Sequence, residues 1–426
     1  MRPIAQTARH PARMITQASS DKPHHIAFLL DNLRGGGAER VVLAIAAGFA
    51  ARGYAVDLLV CERRGELRDQ IPDRVNLVEL APGSAVGGLW RALRCAGMTR
   101  GLLASVKAMR KVPRNFRYIA PLAHYLQQSQ PELLFSALPK ANITAVLAQS
   151  VAGVSTRVHV GVQNALSQRS ARGKRDGKGQ VHHLTPLLRE CYHRAQGVVA
   201  ASHGVGQDAV DFLGLDAGNV QVVYNPVSVA GCGTGAMPDH PWFSEPGPPV
   251  VLAIGRLVAQ KNFHLLLHAV ALASEDTELR LMILGGDPES ADQMAHQKSL
   301  QEMADALGIA DVVALPGYRA NTQDYLRAAQ LFALSSIYEG FGNVLVEALL
   351  AGCPVVSTDC PSGPAEILDN GRYGRLVPVN DAIALALAIR EALAEQVDVD
   401  RLRERGLRFS PEQAVTGYEA LFFPAA

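Results

Sequence analysis

Two glutamates lie on either side of a glycine turn and a helix start in the second half of the chain. Glu339 precedes the turn at Gly342, and Glu347 follows one turn into a predicted helix at 343–351. The N–H groups at the start of a helix bind phosphate, and the helix dipole adds to the attraction. Carboxylates accept hydrogen bonds from hydroxyls. This spacing therefore indicates a diphosphate between two hydroxyl-bearing groups, such as a sugar and a ribose.

Two cations and a glycine stand where the same diphosphate would lie. Arg256 and Lys261 follow a predicted buried strand at 250–254, and Gly255 joins them to it. Two cations on one diphosphate offset the charge that develops as a sugar leaves. The helix start would add three free N–H groups, those of Asn343, Val344 and Leu345. The alternatives are two solvated cations and, for Glu347, an ordinary charge on a helix surface, although its apolar neighbours favour a buried helix.

A glycine-rich loop follows the first predicted strand. Gly36 and Gly37 belong to the run Gly-Gly-Gly-Ala-Glu-Arg, between a strand at 25–30 and a helix at 38–52. Glycine lets the backbone approach a ligand closely, and the same residues also suit a tight turn. The run departs from Gly-x-Gly-x-x-Gly, which disfavours a nicotinamide-dependent dehydrogenase. Gly36 and Gly37 are therefore candidate substrate-binding residues.

Strands and helices alternate along both halves of the chain, which predicts two parallel sheets. In the first half the predicted strands are 25–30, 55–60, 133–137, 156–160, 197–201 and 220–224. In the second half they are 250–254, 279–284, 312–315, 331–335, 354–358 and 375–379. Residues 229–249 are too rich in Gly and Pro for regular structure and form the predicted linker. Because such sheets bind ligands at the carboxyl ends of their strands, the active site is expected in a cleft between two domains.

Composition limits the possible classes of protein. A chain of 426 residues suits two domains of about 200 residues each. The formal net charge of +1 gives no general attraction for nucleic acid, and no such partner is predicted. Six cysteines without a Cys-x-x-Cys pair disfavour a zinc site or a disulfide framework and fit a reducing cytoplasm. Residues 1–23 are expected to be a disordered leader, since they lack the apolar core of a signal peptide.

Five motifs, in order along the chain, resemble those of retaining GT-B glycosyltransferases of family four, also called glycosyl transferases group 1. They are the run 35–40, the segment 224–227 (Tyr-Asn-Pro-Val), Gly255-Arg256 with Lys261, Glu339 with Glu347 before Gly-x-Pro-Val-Val, and the segment 358–368. That last segment, Thr-Asp-Cys-Pro-Ser-Gly-Pro-Ala-Glu-Ile-Leu, resembles the variant found in bacterial exopolysaccharide and lipopolysaccharide transferases. The resemblance covers nearly the whole chain.

The resemblance implies an α/β fold of the GT-B type, with two Rossmann-like domains that face each other across a cleft. An N-terminal domain at 24–228 would bind the acceptor, and a domain at 250–408 the nucleotide sugar. Residues 409–426 would form a helix that crosses back to the first domain. The expected donor is a nucleotide-diphosphate sugar, above all a UDP-sugar. The expected acceptor is a glycan or a polyprenyl-linked sugar.

The resemblance also implies roles for the site residues. Glu339 would contact hydroxyls of the donor sugar, with Arg256 and Lys261 as the other catalytic residues. Glu347 would contact the ribose, and Gly255 and Gly342 would line the donor site. A hexosyl group would be transferred with retention and without a metal or cofactor, the leaving phosphate taking the acceptor's proton. Asp398 and Asp400 imitate a metal motif but are predicted on a surface loop.

Two functions without catalysis remain as alternatives to a transferase. The chain could be an inactive sugar-nucleotide-binding subunit of a membrane transferase complex, or a structural partner of one. The presence of both glutamates and both cations argues against each. No catalytic base is assigned, because 136–142 contains no histidine and His159 lies within a predicted strand.

A basic segment predicts contact with an anionic membrane. Residues 80–131 contain no Asp or Glu and eight Lys or Arg. A helical wheel places Met98, Leu102, Val106 and Met109 opposite Arg100, Lys107, Arg110 and Lys111. Such a helix can rest between lipids with its cations on anionic headgroups, at the cytoplasmic face of the inner membrane. A helix docked on the N-domain with a solvated charged face is the competing account. The cations at 169–178 are expected on a solvated loop.

Overall fold

The computed structural model describes residues 24–34, 36–95, 99–109, 111–176, 181–228 and 235–424. The predicted leader at 1–23 and the first part of the linker, 229–234, lie outside the described residues. Within the described part of the linker, a short helix at Pro241–Ser244 begins after His240, whose ring nitrogen accepts the N–H of Trp242 at 3.2 Å. The prediction of no regular structure there is wrong for this one turn.

The first domain is built on seven parallel strands. In sheet order they are β3, β2, β1, β4, β5, β6 and β7. Their apolar residues are covered by helices on both faces, and residues 26–30 of β1 are fully buried. The strands are β1 His25–Asn32, β2 Ala55–Glu62, β3 Val75–Glu79, β4 Leu133–Ser136, β5 Arg157–Val162, β6 Gly197–Ala200 and β7 Val220–Val222.

Eight helices accompany this sheet within the described residues. They are α1 Gly37–Ala51, α2 Ala85–Cys95, α3 Thr99–Met109, α4 Ile119–Ser129, α5 Pro139–Ala152, α6 Leu166–Asp176, α7 Val181–Arg194 and α8 His203–Leu213. Short 3₁₀ turns lie at Glu66–Gln70, Arg114–Tyr118 and Ala217–Asn219.

The second domain has a six-stranded parallel sheet in the order β10, β9, β8, β11, β12 and β13. Its strands are β8 Val250–Ile254, β9 Arg280–Leu284, β10 Val313–Gly317, β11 Leu331–Leu334, β12 Val355–Thr358 and β13 Arg375–Val377. Its helices, counting the linker turn as α9, are α9 Pro241–Ser244, α10 Phe263–Ser274, α11 Ala291–Ala306, α12 Thr322–Ala328, α13 Asn343–Ala351, α14 Pro364–Ile367, α15 Ala382–Ala394 and α16 Val399–Leu407. Further 3₁₀ turns lie at Ala259–Lys261 and Ala310–Val312.

The last helix, α17 Pro411–Phe422, packs on the first domain. Arg52, just after α1, reaches Glu419 with an Nη1–Oε2 distance of 2.5 Å, and the hydroxyl of Tyr54 donates to the other oxygen of Glu419 at 2.7 Å. Phe422 is fully buried, and its ring stacks on that of Phe49. The last described helix therefore returns to the first domain.

Both sheets reverse their strand order at one point. In the first sheet β1 lies between β2 and β4, and in the second β8 lies between β9 and β11. Ligands of open parallel sheets bind in the crevice at the carboxyl ends of the strands beside such a point. The predicted α/β fold with two Rossmann-like domains is confirmed, and the reversal points are where a site should be sought.

Two predicted surface loops are helical, so both predictions are wrong. Residues 169–176 belong to α6, whose first N–H groups, on Leu166 and Ser167, donate to the Asp208 carboxylate at 2.6 and 3.2 Å. This cap comes from a distant residue, so no local signal reveals the helix. Asp398 accepts the N–H of Arg401 at 3.1 Å and thereby starts α16.

The apolar side of α3 faces the protein, not solvent. Leu102 is fully buried, Met109 packs against the domain core, and the N–H of Gly101 donates to Glu190 of α7 at 3.0 Å. The prediction that this side of the helix enters lipid is therefore wrong, because the core already covers it. Met98 and Arg110 lie outside the described residues.

Candidate active site

Lys261 and Glu339 form an ion pair at the carboxyl edge of the second sheet. Their Nζ and Oε1 atoms are 2.7 Å apart, and both side chains are largely buried. Ser336 Oγ donates to the same carboxylate oxygen at 2.6 Å. The structure thus brings two of the three predicted catalytic residues into direct contact. The sequence had given them separate tasks, on the diphosphate and on the sugar.

Gly255 makes room for this lysine. A Cβ at Gly255 would lie 2.9 Å from Cε of Lys261 and 3.2 Å from its Cδ. The lysine side chain therefore runs close over the backbone that follows β8. Arg256, the next residue, is exposed at the same strand end. The predicted donor site has its two cations on one loop.

The loop that carries Glu339 is held from three directions. Ser335 Oγ donates to the carbonyl of Lys261 at 2.8 Å, and Thr358 Oγ1 donates to the carbonyl of Ser336 at 2.7 Å. The N–H of Glu339 donates to Pro361 at 3.2 Å. These bonds join the ends of β8, β11 and β12. The carboxylate is consequently fixed before any ligand arrives.

Gly342 ends the loop and starts α13. Its φ of +97° is a left-handed conformation that favours glycine, and it turns the chain directly into the helix. Within the described residues, the N–H groups of Asn343 and Val344 donate to no protein acceptor. The N–H of Leu345 donates to the carbonyl of Gly342 at 2.8 Å, so the prediction of a free N–H on Leu345 is wrong. Two donors, not three, remain open for an anion.

Glu347 lies half-buried on α13. Burial raises the pKa of its carboxyl, and the positive charges of Arg40 and Lys261 act in the opposite direction. Arg40 belongs to α1 of the first domain, directly after the glycine loop of Gly36 and Gly37. Arg40 of the first domain is therefore near enough to Glu347 of the second for their charges to interact across the cleft.

The two domains also touch directly beside this cleft. A Cβ at Gly340 would lie 1.9 Å from the carbonyl oxygen of Gln163, and Ser202 Oγ donates to the carbonyl of Gly340 at 2.7 Å. The Glu366 carboxylate accepts the N–H groups of His203 and Gly204, at 2.8 and 3.0 Å, at the start of α8. These contacts fix the floor of the cleft.

Arg169 was missed by the sequence analysis because its segment had no helical signal. The residue is exposed, yet desolvation by the surrounding protein lowers the pKa of its guanidinium group, and the nearby charge of Arg256 lowers it further. Tyr338 and Asp31 act on it in the opposite direction. A cation of the first domain therefore approaches the donor loop of the second.

The described residues contain no metal-binding cluster, no membrane-spanning helix and no disulfide. Among them, no group of three or more His, Cys, Asp or Glu is placed to hold a metal ion. The helices in that part of the chain are all too short or too polar to cross a membrane. The five described cysteines are free thiols.

Comparison with known proteins places this arrangement in a family. The model for glycosyl transferases group 1 matches residues 240–409, and the model for glycosyltransferase family 4 matches residues 35–230. The chain belongs to glycosyltransferase family 4, and the family predicted from its motifs is confirmed. The predicted roles of individual site residues stay predictions.

The chain spans about half the length of the curated relatives that it matches. A Campylobacter jejuni N-acetylgalactosaminyltransferase that acts on a diphospho-undecaprenol-linked sugar is 28% identical over 51% of this chain and 55% of its own. The lipopolysaccharide core biosynthesis glycosyltransferase LpsE of Rhizobium meliloti is 37% identical over 37% of this chain and 43% of its own. Among solved structures, Anabaena HepE in complex with UDP and glucose has a TM-score of 0.69 at 20% identity, over 93% of this chain and 99% of its own. That structure supports the GT-B fold alone.

Proposed function

We propose that the protein transfers a hexosyl group, with retention, from a nucleotide-diphosphate sugar to a glycan or lipid-linked acceptor in surface-polysaccharide biosynthesis. A UDP-sugar is the proposed donor. The observation that carries the proposal is the buried Lys261–Glu339 pair beside the two open N–H groups of α13, with Glu347 one turn further on. The relatives named above act in glycan and lipopolysaccharide assembly, which supports the proposed acceptor class.

The geometry gives each residue a task in this reaction. The diphosphate would lie on the N–H groups of Asn343 and Val344, with Arg256 and Lys261 against its charge. Glu339 would accept hydrogen bonds from hydroxyls of the sugar, and Glu347 from those of the ribose. The bond between C1 of the sugar and the phosphate oxygen breaks while C1 bonds the acceptor oxygen. The acceptor's proton passes to the leaving phosphate.

Charge stabilisation would supply most of the rate enhancement. As the sugar leaves, negative charge grows on the diphosphate, and the cations and N–H groups are already in place. The Lys261–Glu339 pair also ties the position of the sugar to that of the phosphate. No step in this scheme uses a metal ion.

The proposal is tested by nucleotide release from a panel of nucleotide sugars, followed by NMR of the transferred product. We expect release from at least one UDP-sugar, an unchanged anomeric configuration in the product, and activity that survives EDTA. An inverted product or complete loss in EDTA would refute the mechanism. Tight UDP binding without release from any donor would favour the inactive binding subunit.

We further propose that α2 and α3 contact an anionic membrane, through residues other than the predicted apolar side of α3. Trp90 and Val86 lie one turn apart on α2 and are 63% and 53% exposed, and Leu103 on α3 is 53% exposed. The same two helices carry four exposed cations, which are Arg91, Arg94, Arg100 and Lys107. An exposed tryptophan among cations suits the headgroup region of a bilayer.

Liposome sedimentation tests this contact. The wild-type protein should sediment with anionic liposomes at low salt and not with neutral ones. Each cation contributes about 1 kcal/mol near such a surface, so reversing all four charges should abolish sedimentation. Trp90→Ala should weaken it, whereas Tyr318→Ala, an exposed aromatic of the second domain, should not. Unchanged sedimentation of the four-charge variant would exclude this surface.

A further inference from the structure

Asp31 is a carboxylate at the reversal point of the first sheet that the proposed donor chemistry does not use. It is half-buried near the carboxyl end of β1, the strand that lies between β2 and β4. Within the described residues its carboxylate makes neither a hydrogen bond nor an ion pair. Four charged groups from four elements face it: Lys140 of α5, Glu39 of α1, Glu62 of β2 and Arg169 of α6.

Burial raises the pKa of Asp31 to about 6; Lys140 and Arg169 oppose the shift, and Glu39 and Glu62 add to it. A carboxylate in such a place destabilises the folded protein at neutral pH, because the charged form has lost water without gaining a partner. The fold itself therefore gives no reason for an aspartate here.

Asp57 in the same sheet shows what a structural aspartate looks like. Its carboxylate accepts hydrogen bonds from His25 at 3.0 Å, from Asn76 at 2.8 Å and from the hydroxyl of Tyr125. Burial alone would raise the pKa of Asp57, but these bonds lower it below the ordinary value. Asp57 is satisfied by the protein, whereas Asp31 is not.

A second polar group in the same wall also has no partner. Gln163, just after β5, is only 8% exposed, and among the described residues neither its amide nitrogen nor its amide oxygen has a hydrogen-bonding partner. It lines a small cavity together with Arg169 and Tyr192. Its backbone touches Gly340 of the donor loop, so this wall continues directly into the proposed donor site. Buried polar groups without partners are costly, and a ligand that supplies hydrogen bonds removes that cost.

We propose that Asp31 binds a hydroxyl of the acceptor sugar as a hydrogen-bond acceptor, with Gln163 and Arg169 completing a polar acceptor wall. The proposal rests on the proposed function, since it assigns the acceptor side of the same cleft. The contact is one of binding and not of proton transfer: the hydroxyl donates, and only the ionised carboxylate accepts fully. Asp31 is in this sense a specificity-determining residue.

The test uses the full chain loaded with UDP and a panel of octyl β-D-glycosides (glucoside, galactoside and N-acetylglucosaminide) as acceptor probes. Calorimetry measures their binding at pH 8 and pH 5. At least one glycoside should bind the wild-type protein at pH 8 and bind about tenfold more weakly at pH 5, where only about a tenth of a group with that pKa is ionised. Asp31→Asn should bind it about 10- to 100-fold more weakly at pH 8 and show no pH effect.

Glu62→Gln is the matched control, because it removes a negative charge beside Asp31 from an exposed position. At pH 8 it should bind the glycoside as the wild type does, and it should still bind more weakly at pH 5, by a smaller factor because the loss of the Glu62 charge lowers the pKa of Asp31. Wild-type affinity in Asp31→Asn would overturn the inference, and so would the absence of any glycoside binding at pH 8. UDP affinity separates the two proposals: if the wild type does not bind UDP, the proposed function fails, whereas intact UDP binding with an indifferent Asp31→Asn variant refutes the acceptor wall alone.

Discussion

The reversal points of the two sheets carry polar groups in opposite states. Beside β8, Lys261 and Glu339 are paired at 2.7 Å, and Ser336 holds the same carboxylate at 2.6 Å. Near the end of β1, the Asp31 carboxylate makes neither a hydrogen bond nor an ion pair within the described residues. The buried amide of Gln163, just after β5, has no hydrogen-bonding partner among those residues either. The Lys261–Glu339 pair is thus formed before a ligand arrives, whereas Asp31 and Gln163 are without partners.

This difference matches two kinds of ligand. A diphosphate leaving group gains charge in the transition state, and groups already fixed in place stabilise that charge without reorganising. A neutral acceptor is recognised by its hydroxyls, and unsatisfied polar groups reject an analogue that lacks them. We therefore expect the proposed donor edge, at the end of β8 and β11, to determine the rate, and the proposed acceptor edge, at the end of β1 and β5, to determine which acceptor is selected.

The largest expected effect is on turnover and concerns the donor edge, where Lys261 and Glu339 are paired. Lys261→Ala removes a buried cation from the developing charge and should lower turnover by about 100- to 1000-fold. Steady-state nucleotide release measures the loss. Lys298→Ala, at an exposed lysine of α11, should leave turnover unchanged. A wild-type rate in Lys261→Ala would place the diphosphate elsewhere.

Substitution of the two glutamates should impair different steps, nucleotide binding for Glu347 and turnover for Glu339. This difference would separate their roles within the donor edge. Glu347→Ala should weaken UDP binding by about 1 to 3 kcal/mol through the lost ribose contacts. Glu339→Ala should leave UDP binding nearly intact and lower turnover, because Glu339 is proposed to contact the sugar and not the nucleotide. Calorimetry with UDP and turnover on both variants decide the matter. Equal loss of UDP affinity in the two variants would contradict the assigned roles.

The smallest expected effect is on the stability of the fold and concerns Asp31, on the acceptor side. The folded-state pKa of Asp31 lies above its unfolded value, so the ionised carboxylate costs stability as pH rises through about 6. Asp31→Asn removes that cost and should stabilise the protein by about 1 to 2 kcal/mol at pH 8, and by much less at pH 4. Urea unfolding at both pH values measures this difference.

Asp57→Asn is a control that should change the stability of the protein in the opposite direction. The lowered folded-state pKa of Asp57 contributes stability above its unfolded pKa, and this contribution is lost as pH falls. The variant should therefore be less stable than the wild type at pH 8. If Asp31→Asn were destabilised in the same way, Asp31 would be a structural residue.

The donor edge was predictable from sequence because its parts are local. Gly255, Arg256 and Lys261 lie within seven residues, and Glu339 to Glu347 within nine. Strand ends, glycine turns and helix starts are short-range signals, so the sequence places these residues at the carboxyl edge of one parallel sheet, where the structure has them. The Lys261–Glu339 bond was not foreseen, since it joins two loops 78 residues apart.

The acceptor wall could not be predicted in the same way. Asp31, Gln163 and Arg169 stand on three different elements, and no spacing in the sequence links them. The helix that carries Arg169 is capped by Asp208, 42 residues beyond Leu166, and its polar composition resembles that of a loop. One signal was available: an aspartate near the end of an otherwise apolar buried strand is costly, and that cost calls for a reason.

The division between a donor edge and an acceptor edge is tested most directly by the affinity for UDP of the wild type, Arg256→Ala and Asp31→Asn, measured by calorimetry at one pH. We expect the wild type to bind UDP and Asp31→Asn to bind it with the same affinity. Arg256→Ala should have an affinity for UDP lower by at least about tenfold, because the charge-assisted contact is lost. A loss of UDP affinity in Asp31→Asn with none in Arg256→Ala would contradict the assignment of the two edges.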